Sequence, residues 1–83
     1  MRLFSNKQFE DDYRKLSPEN KQRIRKALGQ LAENPRYPGL HVKKMHGQND
    51  VWEARASRDL RITFEMAGED VTLLDVGHHD ILK

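Results

Sequence analysis

Arg55 and Arg61 are the side chains of this sequence best placed to hold an anion, because the alternation around them brings the pair together. In the arm from Val51 to Ser57, Trp52, Ala54 and Ala56 fall on one side and Glu53, Arg55 and Ser57 on the other. In the arm from Leu60 to Met66, Leu60, Ile62, Phe64 and Met66 separate from Arg61, Thr63 and Glu65. Both arms carry the period of a strand with one buried face. A loop of Ser57-Arg58-Asp59 pairs Ala56 with Leu60, Ala54 with Ile62 and Trp52 with Phe64, so apolar meets apolar and Arg55 lies opposite Arg61. A loop one residue shorter would set Ala56 against Arg61 and mix the faces. Like charges opposed across strands cost on the order of 0.2–1 kcal/mol. Two resolutions stand: a phosphate bound between the guanidinium groups, or neutralisation by Glu53, which lies diagonal to Arg61.

The elements that must position this pair can be read on either side of it. Arg2-Leu3-Phe4 reads as a short first strand, and Ser5 with Gln8 as a capping box opening a helix with the stripe Phe9, Tyr13 and Leu16. Ser17-Pro18 is a cap followed by proline at the first helical position, and Ile24, Ala27, Leu28 and Leu31 form the stripe of a second helix. Asn34-Pro35 stops that helix, and Tyr37-Pro38-Gly39 turns the chain toward a strand from Leu40 to Met45. Gly47-Gln48-Asn49-Asp50 is a turn before the hairpin, and Ala67-Gly68-Glu69-Asp70 a tight one after it. The run Val71 to Val76, apolar on both sides, predicts a strand inside the sheet. The whole is α+β: a short N-terminal strand and an αα-hairpin packed on one face of a mainly antiparallel sheet of about four strands.

At 83 residues the chain forms one domain, 1–83, with a limited core. Without cysteine it has neither a disulfide framework nor a thiolate zinc site. No apolar run approaches the roughly 20 residues needed to span a bilayer, and no signal peptide opens the chain, so a cytoplasmic protein is expected. The 15 Lys and Arg against 13 Asp and Glu give a net charge of +2, and the pI near 9.1 makes a polyanion a reasonable partner. Lys21, Arg23, Arg25 and Lys26 read as a solvated helix face.

The ordered set Trp52-Glu53-Ala54-Arg55, Leu60-Arg61-Ile62-Thr63-Phe64 and Leu73-Leu74-Asp75-Val76-Gly77-His78-His79-Asp80 resembles the RelE/ParE superfamily of bacterial toxins over nearly the whole chain. The resemblance implies a type II toxin held inactive by a cognate antitoxin, in a possible hetero-oligomer. In the RelE branch the activity is cleavage of messenger RNA on the ribosome, without metal or cofactor. ParE-like members instead poison DNA gyrase, and a member that binds RNA or antitoxin without catalysis is a third class. By the resemblance, Arg61 matches the arginine that contacts the scissile phosphate, with Arg55 and Glu53 as candidates on the preceding strand and His78 or His79 as the proton-transfer group.

That chemistry needs a base for the 2′-hydroxyl proton, an acid for the departing 5′-oxygen and a cation for the charge developing on phosphorus. A guanidinium can bind two phosphate oxygens at once, and imidazole as a side-chain type titrates near neutrality. The parity of the last strand decides which histidine joins the arginines. One choice puts Thr72, Leu74, Val76 and His78 on their face. The other puts Val71, Leu73, Asp75 and His79 there, where Asp75 can orient His79, and His79 is preferred on that ground. Lys43, Lys44, His46 and Arg58 form a basic rim suited to positioning RNA through its phosphates. Many relatives carry a tyrosine near the C-terminus, and His78-His79-Asp80-Ile81-Leu82-Lys83 has none.

Overall fold

The computed structural model describes residues 1–45 and 50–78. In chain order the elements are β1 (Arg2–Ser5), α1 (Lys7–Arg14), α2 (Pro18–Glu33), a 3-10 turn (Pro38–Leu40), β2 (Lys43–Lys44), β3 (Val51–Arg55), β4 (Leu60–Ala67) and β5 (Asp70–His78). The strands form one sheet in the order β1-β5-β4-β3-β2, antiparallel throughout except for the β1–β5 pair. This is the α+β layering that the alternation predicts, with both helices on one face.

Local chemistry explains most boundaries. The Ser17 hydroxyl accepts the Asn20 N–H at 3.2 Å and Pro18 follows, as the sequence implies for α2. The start of α1 differs from the expectation: Asn6, not Ser5, is the cap, its Oδ1 accepting the Phe9 N–H at 2.8 Å. Ser5 is held in the ladder instead, opposite Leu73, and the next N–H, that of Asn6, donates to the Leu73 carbonyl at 3.1 Å. Strand pairing therefore moves the cap along by one residue. The expected strand from Leu40 to Met45 shrinks to Lys43–Lys44, because Pro38 opens a 3-10 turn that Leu40, 1% exposed, anchors in the core. His41 leaves that turn in the left-handed region, at φ 47° and ψ 48°. Of the Gly47 to Asp50 turn, residues 47–49 lie outside the described residues.

Ile24, Ala27 and Leu31 of α2 and Phe9 of α1 pack with Ala54, Leu60, Ile62 and Phe64 of the hairpin and with Val71, Leu73 and Val76 of β5 in one cluster. Trp52 packs against its margin, where the parity of its arm places it. Completely removing a side chain such as Phe64 from water contributes roughly 1.5–3 kcal/mol, which makes this helix-facing side the main source of stability. Among the described residues no helix is long and apolar enough to cross a membrane.

Between Thr63 and Phe64 the β4–β5 register shifts: Thr63 faces Asp75, yet Phe64 faces Leu73. Leu74 is the additional residue of a β-bulge. Before the bulge Val71 and Leu73 face the core, and after it Val76 does, with Asp75 turned to the opposite side. Neither simple parity of the run survives, because each holds on only one side of Leu74. β1 ends at Ser5, so beyond Leu73 the outer edge of β5 has no strand partner. α1 covers it there, and Asp12 Oδ2 accepts the Val76 N–H at 3.4 Å.

Candidate functional site

The hairpin register matches the expected one: Trp52 pairs with Phe64, Glu53 with Thr63, Ala54 with Ile62 and Arg55 with Arg61. The Ala56 N–H donates to the Leu60 carbonyl at 3.0 Å, closing the loop Ser57-Arg58-Asp59. Since Ala54, Leu60, Ile62 and Phe64 face the helices, Glu53, Arg55, Arg61 and Thr63 share the other side.

That polar side is not uniformly solvated. Glu53, Arg61 and Thr63 are all buried, and each is engaged. Arg61 folds under its own loop, where Nη1 donates to the carbonyls of Ser57 at 3.2 Å, Arg58 at 3.0 Å and Leu60 at 3.3 Å. Its Nε lies 3.6 Å from Glu53 Oε1, and Lys43 Nζ approaches the same oxygen at 3.8 Å. Glu53 thus offsets part of the charge, as one of the two resolutions required. No buried side-chain nitrogen or oxygen among the described residues lacks a hydrogen-bond partner, and none of the hydrogen bonds among them engages Arg61 Nη2. Arg55 is exposed, and no ion pair engages it among the described residues.

Two clefts flank this polar side. The smaller, about 540 Å³, is lined by His41, Val42, Lys43, Glu53, Arg55 and Arg61. It combines three cations with one carboxylate and a histidine, a composition suited to an anion. The larger, about 660 Å³, runs toward α1 past Thr63, Asp75, His78, Asp12 and Lys15. There the Thr63 hydroxyl donates to Asp75 Oδ2 at 3.3 Å.

The remaining sequence candidates divide between these places. Asp75 joins the side of the arginines, as one of the two parities proposed. His78 pairs with Leu60, a core residue, and lines the larger cleft rather than the one that holds Arg55 and Arg61. Lys43 pairs with Glu53 and belongs to the arginine side, whereas Lys44 pairs with Trp52 and belongs to the other. Arg58 is exposed in the hairpin loop and gives its carbonyl to Arg61. His79 and His46 lie outside the described residues. The basic face of α2 is largely occupied with its own neighbours: Arg25 donates to the Tyr13 hydroxyl at 2.7 Å, Arg23 lies 3.8 Å from Glu19, and Lys21 sits 5.9 Å above the Tyr13 ring. Sequence reasoning passed over His41 as a partner of the arginines. Only the Tyr37-Pro38-Gly39 turn hinted at it, and a turn signal does not say which side chain emerges beside a distant hairpin.

A family model described as the ParE toxin of the type II toxin-antitoxin system, parDE, matches residues 4–82. Among solved structures the chain is similar to YafQ from E. coli strain BL21(DE3), with a TM-score of 0.82 and 12% identity over 99% of this chain and 98% of that one. It is similar to a metal-bound toxin from Helicobacter pylori, with a TM-score of 0.78 and 21% identity over 100% and 99% of the two chains. A third similarity is to a RelB-RelE antitoxin-toxin complex from Methanococcus jannaschii, with a TM-score of 0.76 and 20% identity over 95% and 93%. A search of curated proteins finds no match.

Proposed function

This chain belongs to the ParE toxin family of type II toxin-antitoxin systems, and we propose that it is a toxin of the RNA-cleaving kind, an endoribonuclease acting on messenger RNA held in the ribosome. One observation carries the reading: Arg55 stands in register with Arg61 on the helix-free side of the sheet, exposed and without an acidic partner among the described residues. A cationic pair kept at that spacing, with only one carboxylate beside it, suits a phosphate that both can touch.

In the proposed reaction the 2′-oxygen of the RNA attacks the adjacent phosphorus, the bond from phosphorus to the 5′-oxygen breaks, and a 2′,3′-cyclic phosphate and a 5′-hydroxyl result. The substrate supplies the nucleophile, so the protein's task is to orient it, to move protons and to stabilise charge. Arg55 and Nη2 of Arg61 hold the phosphate oxygens, and Lys43 adds charge at the margin of the cleft. The three carbonyl bonds to Nη1 keep the Arg61 guanidinium from swinging, which preorganises it at the cost of its freedom to wrap the anion. A ribosomal target places the reaction in the cytoplasm. A cognate antitoxin is the expected partner, as in the RelB-RelE complex the fold resembles, and an acidic segment laid over the arginine cleft would silence it.

The test is a purified translation system with a defined message. Wild-type protein should cut ribosome-bound RNA, and Arg55→Ala should cut it about 100- to 1,000-fold more slowly, the usual effect of losing one charge-stabilising contact. Full activity in Arg55→Ala would remove the pair from the mechanism. A second reading has its own support, since the four contacts of Arg61 spend most of that guanidinium on the hairpin itself. A ParE-like gyrase poison needs a rigid hairpin surface rather than a reactive site. Intact message together with inhibited DNA supercoiling would decide for it.

A further inference from the structure

We infer that His41 is the general base of the arginine cleft, a role no other described histidine is placed to fill. The inference rests on the ribonuclease reading above and deepens it.

Geometry comes first. His41 lines the same cleft as Arg55, Arg61, Glu53 and Lys43. His78, the other histidine of the described residues, pairs with Leu60 and borders the cleft beside α1. Glu53, the carboxylate of the arginine cleft, is buried and shared between Arg61 and Lys43. That carboxylate is already engaged by two cations, whereas the imidazole of His41 is exposed at the cleft.

The backbone gives an independent reason. His41 holds φ 47° and ψ 48°, in the left-handed region that glycine adopts freely and that among other residues asparagine, aspartate and histidine enter most often. Such a residue is kept only where the surroundings fix it, and these surroundings do: its N–H donates to the Pro38 carbonyl at 3.2 Å, and the preceding Leu40 is buried at 1% exposure. Glycine or asparagine would meet the turn's steric demand more cheaply. Histidine at this point supplies an imidazole that the turn does not need and that lines the arginine cleft.

The step balances as follows. The imidazole accepts the proton of the RNA 2′-hydroxyl as the 2′-oxygen bonds to phosphorus. The 5′-oxygen leaves and takes a proton from water, and the imidazolium then returns its proton to the resulting hydroxide. Arg55 and Arg61 Nη2 carry the charge on phosphorus meanwhile.

Two variants that tolerate the left-handed backbone, His41→Asn and His41→Gly, test the idea in the same ribosome-programmed assay, with circular dichroism as the check on folding. Single-turnover cleavage should fall by about 100-fold or more, the usual scale of a lost general base. Binding of a message with a 2′-deoxy nucleotide at the scissile position should not change, and added imidazole should restore cleavage to His41→Gly. Wild-type cleavage with both variants at full rate would overturn this inference and leave the ribonuclease reading standing. Slow variants that bind the deoxy message weakly and do not respond to imidazole would reduce His41 to a structural or binding role. A wild-type protein that leaves the message uncut would overturn both readings.

Discussion

The two ends of the polar side of the sheet are built differently. At the hairpin end, Arg61 is held by the loop carbonyls of Ser57 and Arg58, by that of Leu60 and by Glu53, all within a segment of the chain that can close on itself. At the β5 end, Thr63 and Asp75 share one bond of 3.3 Å, and the strand edge is completed from outside by Asp12 of α1 at 3.4 Å. One end is fixed by local register and the other by a bulge and a borrowed cap. Rigidity at the first suits a site for a doubly contacted anion, while the second is the end where the sheet can give way.

Arg61→Ala should strain this contrast most. It removes charged donors from three carbonyls and leaves Glu53 with only Lys43, so a loss of about 2–4 kcal/mol is expected in urea unfolding. A loss below about 1 kcal/mol would mean that the hairpin end is no better fixed than the other. Asp12→Ala comes next, at about 1 kcal/mol, because it strips the Val76 N–H of its acceptor. Amide hydrogen exchange should locate the change in the last residues of β5 and leave Leu60 to Phe64 protected. Exchange that rises equally in both strands would erase the distinction between the ends. Thr63→Val should have the smallest effect, roughly 0.5–1 kcal/mol, since Asp75 stays half-buried with access to water. A larger loss would show Thr63 to be a tie between the two regions.

What the sequence made legible follows the same division. The hairpin could be read residue by residue, loop length included, because two alternating arms admit only one register that buries a single face. The helix stripes and the Ser17-Pro18 start were equally plain. The β5 end was not: an apolar run with no alternation carries no record of an added residue, and Leu74 shifted every parity argument built on it. Asn6 in place of Ser5 at the helix cap is a second case, because the choice depends on a parallel partner almost the whole chain away. His41 is a third, since its place among the arginines depends on how a buried leucine folds the turn. For the candidate site, residue types and pairing were visible, but the burial of Arg61 under its loop was not.

The pairing of β1 with β5 also sets a timetable. Arg2 and Asp70 are bonded across a sequence separation of 68 residues, and β1 is the only strand that β5 pairs with on that side. Contacts this distant form slowly, after the entropy of a long loop has been spent. A nascent chain emerging from the ribosome thus keeps an unfinished sheet until β5 has followed it out, and its first strand is among the last to find its place.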